Sequence, residues 1–165
     1  MRLIKIWDTD KDRAFILCKS FPENENGFEN PVFNIQREDF DEYLIKRKNS
    51  SMGIGLKEGY VEDTVYILED DNNEYVGIFN LRHRLNENLK NGAGHIGYGI
   101  ASKYRNKGYA TKGLALTLIE AKKSGIEEAY LSTNKTNKES LKVQLNNGAY
   151  IHHEDDKHYY TRIKL

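Results

Sequence analysis

Between Gly97 and Thr111 the chain reads Gly97-Tyr98-Gly99-Ile100-Ala101-Ser102-Lys103-Tyr104-Arg105-Asn106-Lys107-Gly108-Tyr109-Ala110-Thr111. A glycine-bearing apolar strand passes through a short basic loop into the start of a helix. The first turn of a helix leaves up to about four amide N–H groups without partners and carries about half a positive charge, so a diphosphate is attracted there without a dedicated side chain. Gly108 permits close backbone approach. Hydrogen bonds to a charged group contribute about 1.5 to 3 kcal/mol each, so a few would anchor a nucleotide-like ligand. The physical expectation is a phosphate site.

The elements that would position this segment follow from periodicity. Residues 2 to 7 alternate as a short strand, and Asp8 or Thr9 offers an N-cap for a helix to about Lys19. Phe21 to Asn34, with both prolines and Gly27, has no period and is expected to form an irregular loop that contacts substrate. Phe40, Tyr43 and Leu44 mark a second helix ending near Ser50. Asp63 to Leu68 and Glu74 to Leu81 form a hairpin, and after a polar connection His95 to Ile100 adds a third strand whose glycines leave one face bare. A helix from Gly108 to Ser124 buries Ala110, Leu114, Thr117, Leu118 and Ala121 and ends at Gly125. Glu128 to Thr133 is a strand, Thr136-Asn137-Lys138-Glu139 reads as a capping box for a helix stopping at Gly148, and residues 149–165 form a terminal hairpin. The order predicts one α+β domain over residues 1–165, with a mixed, mostly antiparallel sheet of about seven strands and about four helices.

Composition narrows the function. The 165 residues carry 25 basic and 25 acidic side chains, a formal net charge of zero, so no global positive field would concentrate nucleic acid or anionic lipid. No apolar run approaches membrane-spanning length, and the N-terminus interleaves charges with apolar residues. A soluble, cytoplasmic protein with no nucleic-acid or membrane partner is expected. Cys18 is the single cysteine, so no internal disulfide forms and no zinc-type cluster exists. His152, His153 and His158 flank the last turn without carboxylate or thiolate geometry, and no metal is expected.

Arg105-Asn106-Lys107-Gly108-Tyr109-Ala110 resembles the Arg/Gln-x-x-Gly-x-Gly/Ala signature of the GNAT N-acetyltransferases, preceded by an Ile-Gly-Tyr-x-Ile strand. Downstream, Asn137, Ser140 and Asn147-Gly148 resemble the family's Asn-x-x-Ser segment. The texture of residues 81–86 and 94–98 is similar to a poorly characterised bacterial subgroup of predicted acetyltransferases. The resemblance implies the GNAT fold and acetyl-CoA as acyl donor. It implies that the backbone of Tyr98 and Ile100 pairs with the pantetheine arm. The N–H groups of Arg105, Asn106, Lys107, Gly108, Tyr109 and Ala110, with the Thr111 hydroxyl, would take the pyrophosphate. Asn137 would reach a pantetheine amide and Ser140 would add a polar contact.

Acetylation needs a neutral amine, while an alkyl amine has a pKa near 10.4, so a proton must leave. Relatives often carry a carboxylate at the place of His95, whose ordinary pKa near 6.5 suits a base at neutral pH. His95 is the expected base and the Tyr98 N–H the expected oxyanion donor. Many relatives place a tyrosine acid seven residues after the motif Asn; Gln144 stands there in this chain, and an amide cannot protonate a thiolate. Arg82 and His83 are candidate substrate contacts, with alternation sending them to opposite faces.

The expected activity is direct acetyl transfer to a primary amine of a small molecule or peptide. The alternative is a non-catalytic acetyl-CoA sensor, for which the missing tyrosine leaves room. A different phosphate-binding α/β enzyme ranks last, since no Walker-type glycine loop is present. Glu23, Glu25 and Glu29 in the first loop hint at a cationic acceptor. The sequence leaves oligomeric state open, a homodimer being one option.

Overall fold

The computed structural model describes residues 1–165. Strand β1 (Arg2–Lys5) leads through a single 3-10 turn into helix α1 (Lys11–Lys19). The cap is Asp10, whose side chain accepts the Arg13 N–H at 2.9 Å, so the helix starts later than Asp8 or Thr9 would place it. Two short strands, β2 (Asn24–Glu25) and β3 (Phe28–Glu29), and helix α2 (Phe40–Ser51) follow. Strands β4 (Asp63–Glu69) and β5 (Tyr75–Arg82) form the central hairpin, and a short helix α3 (Glu87–Lys90) leads to β6 (Ile96–Ile100). Helix α4 (Tyr109–Lys123), strand β7 (Glu128–Asn134), helix α5 (Lys138–Asn146) and the hairpin β8 (Tyr150–Glu154) and β9 (His158–Lys164) complete the chain.

The strands form a four-stranded sheet in the order β1-β4-β5-β6 and a three-stranded sheet in the order β7-β9-β8. Every ladder within them is antiparallel. The two sheets meet at one bridge between Gly94 and Leu131. Gly94 is required there: its φ is +67°, and a Cβ would stand 2.2 Å from the Tyr130 carbonyl oxygen. Beyond this junction β6 and β7 are not paired with each other.

Alternation on β4 and β5 sends side chains to two cores. Tyr66, Leu68, Phe79 and Leu81 join Leu114, Leu118 and Ala121 of α4 on one face. Val65, Ile67 and Ile78 join Ala14, Leu17 and Cys18 of α1 and Phe40 and Leu44 of α2 on the other. Each large side chain removed from water contributes about 1.5 to 3 kcal/mol. The close seat of α4 depends on Gly113, where a Cβ would fall 2.2 Å from the Phe79 ring.

Two expectations change. The stretch from Phe21 to Asn34 contains an ordered hairpin, with Asn26 and Gly27 at φ +53° and +85°. This is the Asn-Gly turn that matches strand twist. The α5 cap is Asn137, which accepts the Ser140 N–H at 3.1 Å, one residue later than a box on Thr136 requires.

Candidate active site

The loop before α4 leaves backbone N–H groups without partners. Gly108 caps the helix at φ +78° with no side-chain cap bond, and Asn106 is also left-handed at φ +61°. The N–H groups of Asn106, Lys107, Gly108, Tyr109, Ala110 and Thr111 make no hydrogen bond within the protein; Lys112 is the first to be satisfied, by the Gly108 carbonyl at 3.2 Å. An unbroken run of free amides at a helix N-terminus has the donors and the partial positive charge that an anionic group would meet. Arg105 lies outside this run, because its N–H donates to the Ser102 carbonyl at 3.3 Å. Its guanidinium donates to the Ile100 carbonyl at 2.9 Å and grips Glu25 of β2 at 3.0 and 2.5 Å. Glu25, expected to attract a cationic acceptor, is therefore already paired. The Tyr109 hydroxyl donates to Asp70 at 2.8 Å, tethering α4 to the β4–β5 turn.

The separation of β6 from β7 opens a gap whose walls carry unpaired backbone groups. Ala101 N–H donates to Val76 at 3.0 Å and Arg82 N–H to His95 at 2.8 Å. By antiparallel alternation Gly97 and Gly99 bond to β5, while Tyr98 and Ile100 turn their N–H groups to the open edge. On β7, the Lys135 N–H donates to Lys157 at 2.8 Å and the Leu165 N–H to Glu127 at 2.9 Å, and the same alternation turns Ser132 toward the gap. Asn137 and Ser140 stand at its side. The Tyr98 ring stacks on Phe79 with centroids 5.5 Å apart, and its hydroxyl contacts Ser140 Oγ at 3.0 Å and donates to the Ser140 carbonyl at 3.2 Å. Burial pushes the Tyr98 phenol above its ordinary pKa, so it keeps its proton. Gln144 is buried, accepts the Thr161 hydroxyl at 2.7 Å and donates to the Ser132 carbonyl at 3.4 Å.

The gap joins a cavity of about 1410 Å³ between the central sheet, α2 and the β2–β3 hairpin. The bare face of β6 is divided. Gly99 is covered by Phe21 and Phe28, which a Cβ would meet at 2.9 and 3.5 Å, whereas a Cβ on Gly97 would meet nothing within 4 Å and would point into the cavity. Asp63, Asn80 and Arg82 lie on the same face, and Arg47 arrives from α2 to pair with Asp63. Sequence reasoning missed Arg47, Asp63 and Asn80, because their role depends on which face of the sheet α2 leaves uncovered. The Asn26-Gly27 pair was a legible sign of the hairpin.

Two expected site residues lie elsewhere. His95 Nδ1 accepts the Tyr130 N–H at 3.0 Å, and the His95 N–H donates to the Tyr130 carbonyl at 2.7 Å. Its ring is buried outside the large cavity, and burial with the nearby Arg162 and Arg82 charges pushes its pKa down to about 4. With its Nδ1 lone pair engaged by the Tyr130 N–H and its basicity lowered, His95 stands as a latch between the two sheets, away from the cavity where the expected base would act. His83 Nε2 contacts the Thr64 hydroxyl at 2.9 Å on the face opposite Arg82, so it does not line the cavity.

The fold and the free amides before α4 define the class. The family profile described as an acetyltransferase (GNAT) domain matches residues 3–149, so the chain belongs to the GNAT acetyltransferase family. No curated protein sequence matches the chain. Among solved structures, it is similar to a ribosomal-protein-S5-alanine acetyltransferase from Vibrio fischeri, with 18% identity, coverage of 99% of this chain and 91% of that one, and a TM-score of 0.69. It is also similar to the N-acetyltransferase PseH of Campylobacter jejuni in complex with acetyl coenzyme A, with 15% identity, 99% and 97% coverage and a TM-score of 0.63. The microcin C7 self-immunity acetyltransferase MccE, solved with acetyl-CoA and AMP, gives 12% identity, 94% and 87% coverage and a TM-score of 0.66. At these identities the structures establish the shared fold. No helix of the chain is long and apolar enough to cross a membrane.

Proposed function

We propose that this protein is an acetyl-CoA-dependent N-acetyltransferase that moves the acetyl group directly to a primary amine of a small molecule or peptide. The observation that carries this reading is the run of free amides from Asn106 to Thr111 beside the open edge of β6. These amides would hold the pyrophosphate with the Thr111 hydroxyl, and Lys107 would add positive charge. The Tyr98 and Ile100 N–H groups, with Asn137, would hold the pantetheine arm. When bound, acetyl-CoA supplies a thioester whose carbonyl carbon accepts the amine.

The amine nitrogen forms the new C–N bond and the C–S bond breaks. The Tyr98 N–H, aimed into the gap, stabilises the carbonyl oxygen as it gains charge. The Tyr98 phenol, held at the gap by Ser140, would donate the proton that the departing sulfur requires and would regain one from water, to which the new amide nitrogen releases its own proton. Tyr98 thus serves where Gln144 cannot, since the Gln144 amide carries no transferable proton. Cys18 does not form an acyl-enzyme: burial pushes its thiol up to about 12, leaving almost no thiolate at neutral pH.

Support also comes from membership of the GNAT family. The test is calorimetry with acetyl-CoA followed by thiol release over a panel of amino acids, polyamines, aminoglycosides and N-terminal peptides. Binding with turnover of at least one amine is expected. Tight binding with silence across the panel would favour a sensor, and no binding would overturn the reading.

A further inference from the structure

The cavity floor next to Gly97 has an imbalance of charge. Asp63, Asn80 and Arg82 alternate onto the cavity face of β4 and β5, with Asp63 opposite Arg82 and Asn80 opposite Gly97. Arg47 of α2 takes the Asp63 carboxylate. Arg82 belongs to no ion pair, and its one side-chain hydrogen bond runs from Nη1 to the Gly94 carbonyl at 3.1 Å. The one carboxylate is thus held by Arg47, and Arg82 lines the cavity with only its Nη1 engaged. Two further polar atoms, Arg47 Nε and Asn80 Oδ1, are buried with no partner. Buried donors, acceptors and charges are costly unless a partner meets them.

We infer that the acceptor is an amine that also carries an acidic group, with Arg82, supported by Arg47, binding the acid. This rests on the proposed acetyl transfer for the identity of the amine as the reacting group. Neighbouring strands lie about 5 Å apart and residues two along a strand about 7 Å apart, so Asn80 stands beside the Tyr98 end of the gap while Arg82 lies one side-chain step further. The amine and the acid are therefore separated by only a few bonds. A carboxylate and a phosphate share the oxygen geometry that a guanidinium fork recognises. Glu23 and Glu29 line the same cavity from the loop and hairpin opposite, so the lining carries both signs, as a zwitterionic acceptor requires. Substrate contact by Arg82 thus becomes selection of a charge, beside the cationic amine at which Glu23 and Glu29 hint.

The experiment uses matched pairs on the full chain: β-alanine against β-alaninamide, and aminoethyl phosphate against ethanolamine. Binding is read by calorimetry with CoA present and absent, and transfer by thiol release from acetyl-CoA. At least one acidic amine is expected to bind about tenfold to a hundredfold more tightly than its neutral counterpart. Arg82→Gln should bring that ratio close to one, and Arg82→Lys should fall between, since a lysine keeps the charge but loses the fork. The wild-type ratio needs no variant and decides the matter if Arg82→Gln fails to fold. The carboxylate and phosphate arms tell the two acids apart. Equal affinity within both pairs, no binding of either acidic amine, or an unaltered ratio in folded Arg82→Gln would overturn the inference. Selective binding without thiol release would leave the anion site standing and count against acetyl transfer instead.

Discussion

The Tyr130 N–H donates to His95 Nδ1 at 3.0 Å, so an imidazole occupies the place where a backbone carbonyl would otherwise continue the join between the two sheets. It forms the closed end of the cleft. Beside it Gly94 bridges Leu131, and past it β6 and β7 are unpaired, with Tyr98 and Ser132 both lining the opening.

This bond makes a prediction in pH. The folded pKa of His95 is held at about 4 by burial and by Arg162 and Arg82, against about 6.5 in the unfolded chain. Between those values the unfolded state binds more protons, so stability rises with pH in that window. The His95 contribution is complete above about pH 6.5 and is lost toward pH 4, by up to about 3 kcal/mol. Denaturant melts across pH 4 to 7 should show this loss in the wild type and a smaller one in His95→Gln. A wild-type slope identical to that of His95→Gln would refute the latch.

Gly108→Ala should cost about 1 to 2 kcal/mol of stability, because its φ is +78° and a side chain resists the left-handed region. No heavy atom lies within 4 Å of the added Cβ, so the protein still folds. Backbone shift in the amide run should weaken acetyl-CoA binding by about tenfold, read by calorimetry. Unchanged affinity in a destabilised protein would separate the loop from the cofactor.

Gly97→Ala places a methyl in the cavity without touching the protein. Its melting temperature should stay near that of the wild type, while kcat/KM falls about tenfold through crowding of the reacting groups. Loss of stability without loss of activity would mean that this wall does not border the reaction.

Tyr98→Phe keeps the stack on Phe79 and removes the contacts to Ser140. A stability loss of about 1 kcal/mol is expected. If the phenol supplies the proton to sulfur, kcat should fall on the order of tenfold to a hundredfold with acetyl-CoA affinity little altered. A kcat equal to that of the wild type would leave water as the proton source.

Periodicity made the long elements legible. The buried spacing of Leu114, Leu118 and Ala121 marks α4, and alternation marks β4 and β5, because these patterns report which face meets a core. The amide run was legible because it depends on local backbone geometry around Gly108. The environment of His95 is not legible in the sequence, because it is set by burial and by Arg162, Arg82 and Tyr130, most of which are distant in sequence and meet it only after folding. The acid-binding floor was hidden for a similar reason: Arg47 and Asp63 are 16 residues apart and come together only when α2 packs on β4. The cover over Gly99 is not legible from β6 alone, because Phe28 reaches it only through the Asn26-Gly27 turn.

The most direct test of the cofactor site is an amide-resolved NMR titration of the protein with acetyl-CoA. Large shifts at submillimolar ligand are expected at the amides of Asn106 to Thr111, with further shifts at Tyr98 and Ile100. Saturating binding that leaves those amides unmoved, or no binding at millimolar ligand, would contradict it.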